Sequence, residues 1–224
     1  MVVVKKYHLP PTDLIPNSPH PVLHYPAILL PPADLTPAKV HDLFTTNGWE
    51  PQWIYRYGPT QPAHYHTRAH EAMAVLSGTA TIRLGVADTD TDPEQNTHGL
   101  AREEGGVEVL AQAGDVFVLP AGTAHKTFDV KPEGEFALLT PGDGHGVAAE
   151  KDKGGSHDVR AVLDGVRLAG FTMLGAYPVG GEGWDFAVGG EKGRGEYEMV
   201  WAVPKPARDP VLGTAEEGLC GQWK

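Results

Sequence analysis

Cysteine is almost absent from this chain of 224 residues, which has Cys220 alone. A single cysteine excludes an intramolecular disulfide, so a buried core has to hold the fold together, and a reducing compartment fits best. The apolar run from Val2 to Val4 precedes the first lysines and is far shorter than the apolar part of a signal peptide. We therefore expect a cytoplasmic protein.

Basic charge is scarce as well. Lysine and arginine number 18 against 29 aspartates and glutamates, which gives a formal net charge of -11. Such a charge repels nucleic-acid phosphates and anionic lipids, and no apolar run is long enough to span a bilayer, so we expect neither nucleic acid nor membrane as a partner. The hydrophobic share of 41% instead predicts one globular domain with a packed core.

Helix signals are few. Eight prolines between residues 9 and 32 exclude regular helix, and they predict an extended Pro-rich arm over residues 1–35. Thr36 and Pro37 begin one short helix, which Asn47 and Gly48 end.

The remainder, residues 36–224, is predicted to be a single all-β domain. From residue 52 onward, short β-branched and aromatic runs alternate with Gly, Pro and Asp, a pattern typical of many short strands. Two loops interrupt it, an acidic one at 86–106 and a Gly-rich one at 141–158. The predicted strands are 52–57, 63–66, 72–77, 79–84, 107–110, 115–119, 125–130, 135–140, 160–164, 168–174 and 197–202.

Two segments of this domain contain residues with metal-binding chemistry. His64 and His66 alternate on one strand, so their side chains point to the same face, and a short turn then starts a new strand at Glu71. About 60 residues further on, a Pro-x-Gly turn leads into a strand that begins at His125. Imidazole and carboxylate groups are common metal ligands, so this pattern predicts a metal site.

The spacing of these residues resembles a known pair of motifs. Residues 58–78 match G-x5-H-x-H-x4-E-x6-G, and residues 114–129 match G-x5-P-x-G-x2-H-x3-N except at the last position, which is Asp129. These are the paired motifs of the cupin superfamily. The resemblance implies a single cupin barrel, a jelly roll or double-stranded β-helix, with the Pro-rich arm and the short helix before it. It also implies these metal ligands: His64, His66, Glu71 and His125.

Looser motifs extend the resemblance over residues 40–224. Asn47-Gly48-Trp49 and Gly183-Trp184-Asp185-Phe186 look like the YjlB-like cupins of bacteria and fungi. Since that family has no settled activity, this resemblance says more about fold than about function. The loops at 86–106 and 141–158 look like insertions relative to it.

The other histidines and several aromatic residues are less informative. His70 has the strand parity opposite to Glu71, so it is expected to face outward or to make a local hydrogen bond. Several other residues could line a pocket, but for each of them we expect packing and not substrate contact: Tyr55, Arg56, Tyr57, Met73, Trp184 and Phe186. We expect the loop histidines to lie at the surface: His98, His145 and His157.

The ligand set constrains the ion and the substrate. Three neutral imidazoles and one carboxylate leave a divalent ion with a formal charge of about +1, which favours a small anionic substrate. An octahedral ion keeps two further positions open, which favours iron, manganese, nickel or cobalt. Copper and zinc are alternatives, although four protein ligands would close a tetrahedral zinc site.

The leading functional hypothesis is a metal-dependent oxidoreductase, a dioxygenase or oxidase that acts on a small oxygen-rich acid or enolic compound. Glu71 would double as a catalytic base if it left the ion. The alternatives are a metal-dependent isomerase or decarboxylase, and a non-catalytic protein that binds a small molecule. Because cupins are commonly dimers, a homodimer is a candidate assembly.

Overall fold

The computed structural model describes residues 2–29, 35–147, 159–191 and 193–224. These residues form ten strands and five helices. The strands are β1 Lys5–Tyr7, β2 Val22–Tyr25, β3 Trp49–Arg56, β4 Glu71–Ser77, β5 Thr79–Leu84, β6 Val107–Gln112, β7 Val116–Leu119, β8 His125–Lys131, β9 Ala137–Leu138 and β10 Thr172–Pro178. The helices are α1 Pro37–Thr46, α2 Pro93–Thr97, α3 Val159–Gly165, α4 Tyr197–Trp201 and α5 Leu219–Gln222.

The strands form two sheets. The larger has the order β1-β2-β7-β4-β10-β3-β9 and the smaller the order β6-β5-β8, with antiparallel pairing throughout. The all-β jelly-roll prediction is confirmed, although the two sheets are not joined by hydrogen bonds into one closed barrel. The Pro-rich arm supplies β1 and β2 of the larger sheet, so it is part of the sheet. The domain boundary at residue 35 stays a prediction.

The larger sheet is buried on both faces, and the alternation of side chains along β4 shows how. Met73 and Val75 face the smaller sheet, whereas Ala72 and Ala74 face a second core beneath α1, α3 and the C-terminal segment. Because side chains alternate with a period of two, Glu71 lies on the same face as Met73. The core between the two sheets therefore surrounds Glu71, which the motif marks as a ligand.

Two of the predicted strands are wrong. Residues 160–164 lie in α3, and residues 197–202 lie almost entirely in α4. The β-branched content of the first segment suggested a strand, yet its apolar positions have the spacing i, i+3, i+4, i+7 of a helix face. That face packs against the second core: Val159, Val162, Leu163 and Val166.

Other expectations hold only in part. The segment 86–106, predicted as a loop, contains the short helix α2. The strand predicted at 63–66 is reduced to isolated bridges at His64 and Tyr65. Residues 148–158 of the Gly-rich loop lie outside the described residues. In the described part of the chain, no helix has both the length and the apolar character needed to cross a bilayer.

Glycine is required at two positions that shape the site. Gly78, in the turn between β4 and β5, has a φ of +74°, and a Cβ there would lie 2.6 Å from the carbonyl oxygen of Lys131. Gly175, on β10, lies under the indole of Trp53, where a Cβ would approach the ring to 2.0 Å. The two sheets and the Trp53 side chain thus depend on the absence of side chains at these glycines.

We expect Gly175→Ala to lower the free energy of unfolding by roughly 1–3 kcal/mol, because the new methyl group has to displace Trp53 from a packed core. Denaturant unfolding measures this difference. Gly181→Ala is the control, since its Cβ would meet only the carbonyl oxygen of Pro178 at 3.4 Å. Equal stability of the two variants would contradict the packing described here.

Candidate metal centre

Three histidines converge at one end of the space between the sheets. His64 and His125 pair backbone to backbone, with N–H to O distances of 3.1 and 2.8 Å. Tyr65 pairs in the same way with Ala187, at 2.8 and 3.0 Å. This short extended strip turns His64 and His66 to one side and Tyr65 to the other, as the spacing predicts.

Glu71 joins the three histidines from the first residue of β4. Its Oε1 lies 3.3 Å from Nε2 of His66, and its Oε2 lies 3.3 Å from Nε2 of His125. One nitrogen from each of His64, His66 and His125 lies within 4.8 Å of the others. All four side chains are buried, with exposed fractions between 2% and 7%. The three histidines are thus close enough to share one metal ion.

The hydrogen bonds of the three imidazoles identify which nitrogen is free. Nδ1 of His64 lies 3.2 Å from the carbonyl oxygen of Pro62, and Nδ1 of His125 lies 3.4 Å from that of Thr123. Nδ1 of His66 contacts the carbonyl of Asp185. A carbonyl only accepts, so each Nδ1 carries the proton, and each neutral ring keeps its Nε2 lone pair for a ligand.

The residues present therefore fit a cation. Nε2 of His66 and Oε2 of Glu71 are buried and have no hydrogen-bond partner. Such atoms are costly to bury unless something binds them, and a divalent ion accepts electron pairs from imidazole nitrogen and carboxylate oxygen alike.

The electrostatics of the cluster centre on the buried carboxylate. Burial would raise the pKa of Glu71, but the neighbouring His66 and His125 and the hydroxyl of Tyr177 lower it to about 2. Burial lowers the pKa of His64 and His125. Burial also acts to lower the pKa of His66, but the charge and hydrogen bond of Glu71 together with the contacts of Asp185 outweigh it and raise that pKa. The carboxylate is thus ionised, and its charge is directed at His66 and His125.

Tyr177 and Trp53 fix the orientation of Glu71. The Tyr177 hydroxyl donates to Oε1 of Glu71 at 2.6 Å, and Nε1 of Trp53 donates to the Tyr177 oxygen at 3.1 Å. Trp53 lies on β3, just before the first motif, whereas Tyr177 lies on β10, 106 residues from Glu71 in sequence. Sequence analysis missed this role, because only the pairing of β10 with β3 and β4 brings Tyr177 to Glu71.

A segment after β10, residues 184–187, crosses the cluster and is called the strap below. The Asp185 carboxylate accepts from the backbone N–H and the hydroxyl of Thr67, at 2.8 and 2.7 Å. The ring of Phe186 stacks on His64, with centroids 4.1 Å apart, and Trp184 stacks between Tyr177 and His145. The strap thus brings two aromatic rings to the histidines.

The remaining histidines lie elsewhere. His70 points away from Glu71, as its parity predicts, but it is buried against Trp223, and its Nδ1 accepts from the N–H of Ala121 at 3.0 Å. Of the two expectations for His70, facing outward is wrong because the C-terminal segment covers that face, and the hydrogen bond that it accepts comes from a residue 51 positions away instead of a local one. His98 is 47% exposed, as expected. His145 is exposed but packs on the strap, and His157 lies outside the described residues.

The one departure from the motif lies away from the ligands. Asp129 has a φ of +53° and a side chain 49% exposed. Asn and Asp both tolerate this left-handed conformation better than other non-glycine residues, which explains why Asp stands where the motif has Asn.

An open cleft of about 940 Å³ lies beside the strap. Its lining includes Thr67, Arg68, His70 and Tyr177, together with residues 178–183 and 202–207, and none of the three clustered histidines. Because Tyr177 also binds Glu71, the cleft borders the support of the cluster.

Asp88 of the acidic loop contacts both chain segments that carry His64 and His125. Oδ2 of Asp88 accepts from the N–H of Ala63 at 2.9 Å, and both carboxylate oxygens lie 3.0 Å from Nζ of Lys126. Ala63 and Lys126 are the chain neighbours of His64 and His125. One carboxylate thus ties together the two backbone segments that carry these histidines.

Comparison with known proteins agrees with this architecture. Residues 54–147, which include all four motif ligands, match the family model described as Cupin. This chain therefore contains a cupin domain. The uncharacterized protein YjlB of Bacillus subtilis (strain 168) is 25% identical over 211 residues, which cover 94% of this chain and 91% of that protein.

Solved structures are similar only at a low level. The polyketide cyclase RemF from Streptomyces resistomycificus is 13% identical, with 93% of each chain covered and a TM-score of 0.28. An 11S globulin from Wrightia tinctoria is 8% identical with a TM-score of 0.30, and the match covers 61% of this cupin and 22% of the globulin. Neither likeness bears on the activity of this cupin.

We expect Asp88→Asn to lower the free energy of unfolding by about 3 kcal/mol, since it leaves the buried ammonium of Lys126 without a counter-charge. Asn still offers an oxygen to Ala63, so the loss reports on the ion pair. Thermal or denaturant unfolding measures it, with Asp90→Asn, an exposed change in the same loop, as the control. A loss no larger than that of the control would refute the role given to Asp88.

Proposed function

We propose that this cupin binds one divalent metal ion through His64, His66, Glu71 and His125, and that it is a metal-dependent oxidoreductase of the dioxygenase or oxidase type. The observation that supports this most is the set of three buried imidazoles beside an ionised carboxylate, with each Nδ1 directed at a carbonyl oxygen, so that each Nε2 is the nitrogen available to an ion. The substrate would be a small oxygen-rich acid or enolic compound bound as an anion.

The number of ligands supports the class of reaction. Four protein ligands leave two positions on an octahedral iron, manganese, nickel or cobalt ion, enough for a substrate oxygen together with dioxygen. When bound, such an ion supplies Lewis acidity and, if it is redox-active, electron transfer. Copper and zinc remain alternatives, although four protein ligands would close a tetrahedral zinc site.

The protein residues would orient the reactants and exclude water. Tyr177 keeps one oxygen of Glu71 occupied, which leaves the other oxygen directed at His125. The base role predicted for Glu71 stays a prediction, and the Tyr177 hydrogen bond opposes it by holding the carboxylate in place. Phe186 shields His64 from solvent on one side. Homodimer formation and cytoplasmic location also stay predictions.

Elemental analysis of purified protein tests the metal site. We expect about one ion per chain in the wild type and a fall of at least tenfold in His64→Ala and His125→Ala, because each variant removes one ligand. His98→Ala is the control, since that ring lies outside the cluster. Metal content that survives both substitutions would contradict the ligand assignment.

Oxygen uptake tests the reaction class. The metal-loaded protein is mixed with small hydroxy acids, diketones and phenols while dissolved oxygen and product are followed together. We expect oxygen consumption with at least one compound, and none with His125→Ala. Turnover without oxygen uptake would instead identify an isomerase or decarboxylase, and ligand binding without turnover a binding protein.

A further inference from the structure

The interior face of β8 carries a hydroxyl as well as the motif ligand His125. In the pairing of β8 with β5, His125 lies opposite Leu84 and Thr127 lies opposite Ile82. Both of these β5 residues belong to the core between the two sheets. Because side chains alternate along a strand, Thr127 points to the same side as His125, about 7 Å further along.

Gln61 reaches the same place from the segment before the first histidine. Its backbone N–H donates to the carbonyl of Thr127 at 3.2 Å, and the preceding residue, Thr60, pairs with Phe128. The hydroxyl of Thr60 bonds that of Thr97 in α2 at 2.9 Å, so Thr60 faces away from the core between the sheets. The side chain of Gln61, one residue on, therefore points inward.

A bulge places Gln61 on the same side as His64. The two bridges are four residues apart on this segment, at Thr60 and His64, but only three residues apart on β8. In a regular strand, side chains three positions apart would point to opposite sides, and one extra residue corrects this. Gln61 and His64 thus both face the space between the sheets.

The side chains of Gln61 and Thr127 each end in a polar atom without a partner. Nε2 of Gln61 and Oγ1 of Thr127 are buried, and neither makes a hydrogen bond to any of the described residues. Thr127 as a whole is 1% exposed. Burying such groups unpaired is costly, so two of them on one interior face indicate a place where a ligand supplies the missing partner.

We propose that Gln61 and Thr127 bind a second oxygen of the substrate, a hydroxyl or carbonyl, roughly 7 Å along β8 from the oxygen that would bind the ion. An amide N–H and a hydroxyl are neutral donors, and they match a neutral oxygen. This inference rests on the proposed function and deepens it. A two-carbon acid is too short to reach both places, so the substrate is a longer hydroxy acid or enolic compound.

Two enolic chelators that differ in one oxygen test this proposal. Kojic acid binds metal ions through adjacent ketone and hydroxyl oxygens and carries a hydroxymethyl group across its ring, where allomaltol carries a methyl group. We expect kojic acid to bind the metal-loaded protein at least tenfold more tightly, the effect of one hydrogen bond. Titration calorimetry measures both affinities, and elemental analysis afterwards checks that the ion stayed bound. Equal affinities, or no binding of kojic acid, overturn the proposal.

Variants assign the preference to the two side chains. Thr127→Val and Gln61→Leu nearly keep the shape of each side chain but remove its polar atoms. Each should reduce the preference for kojic acid at least threefold, while metal content and allomaltol affinity stay unchanged. Thr60→Val is the matched control and should keep the preference, since its hydroxyl bonds Thr97 on the other side of the same strand pair. Full preference in both Thr127→Val and Gln61→Leu contradicts the proposal.

Melting temperatures of the metal-free protein separate ligand binding from a structural role. Thr60→Val should melt at a lower temperature because it loses a hydrogen bond. Thr127→Val should melt at the wild-type temperature or above, because it removes a buried group that has no partner. A loss in Thr127→Val as large as that in Thr60→Val would mean that the hydroxyl serves the fold, which overturns its proposed role.

The outcomes also separate this proposal from the proposed function. Wild-type protein that takes up no metal contradicts the proposed function and this proposal together. Metal-loaded protein that binds kojic acid and allomaltol alike contradicts the second oxygen alone.

Discussion

Burying three imidazoles and a carboxylate in one place is the constraint on which the rest of this structure depends. Each group loses its hydration, and unpaired charges or lone pairs inside a protein cost several kcal/mol each. The fold offsets that cost with fixed partners: a carbonyl for each Nδ1 and the Tyr177 hydroxyl for Glu71. The pairing of His64 with His125 brings the two motif segments together.

The supporting contacts come from three distant parts of the chain. The acidic loop contributes Asp88, which binds next to both histidine segments, while β3 and β10 contribute Trp53 and Tyr177. The strap contributes Asp185, which binds both the His66 ring and the backbone of Thr67. The acidic loop at 86–106, which looks like an insertion in sequence, therefore helps to hold the cluster in place through Asp88.

The sequence predicted the cluster better than its surroundings. The period of two placed His64 and His66 on one face, which local strand geometry decides, whereas Glu71 and His125 were assigned to the same site by the resemblance to the cupin motifs. Tyr177 and Asp88 reach the cluster through pairings more than 20 residues apart, which no local pattern encodes. The error at residues 160–164 has a different cause: Val is common in strands, but a helix face in contact with the core outweighed that preference.

The position of the strap along the chain has a consequence for how the molecule is made. The four motif ligands are all synthesised by residue 125, but the carbonyl that orients His66 belongs to Asp185, and Tyr65 pairs with Ala187. Chains emerge from the ribosome N-terminus first. A nascent chain therefore lacks these contacts for about 60 residues of synthesis after His125. The histidine cluster is complete only when the strap has been made.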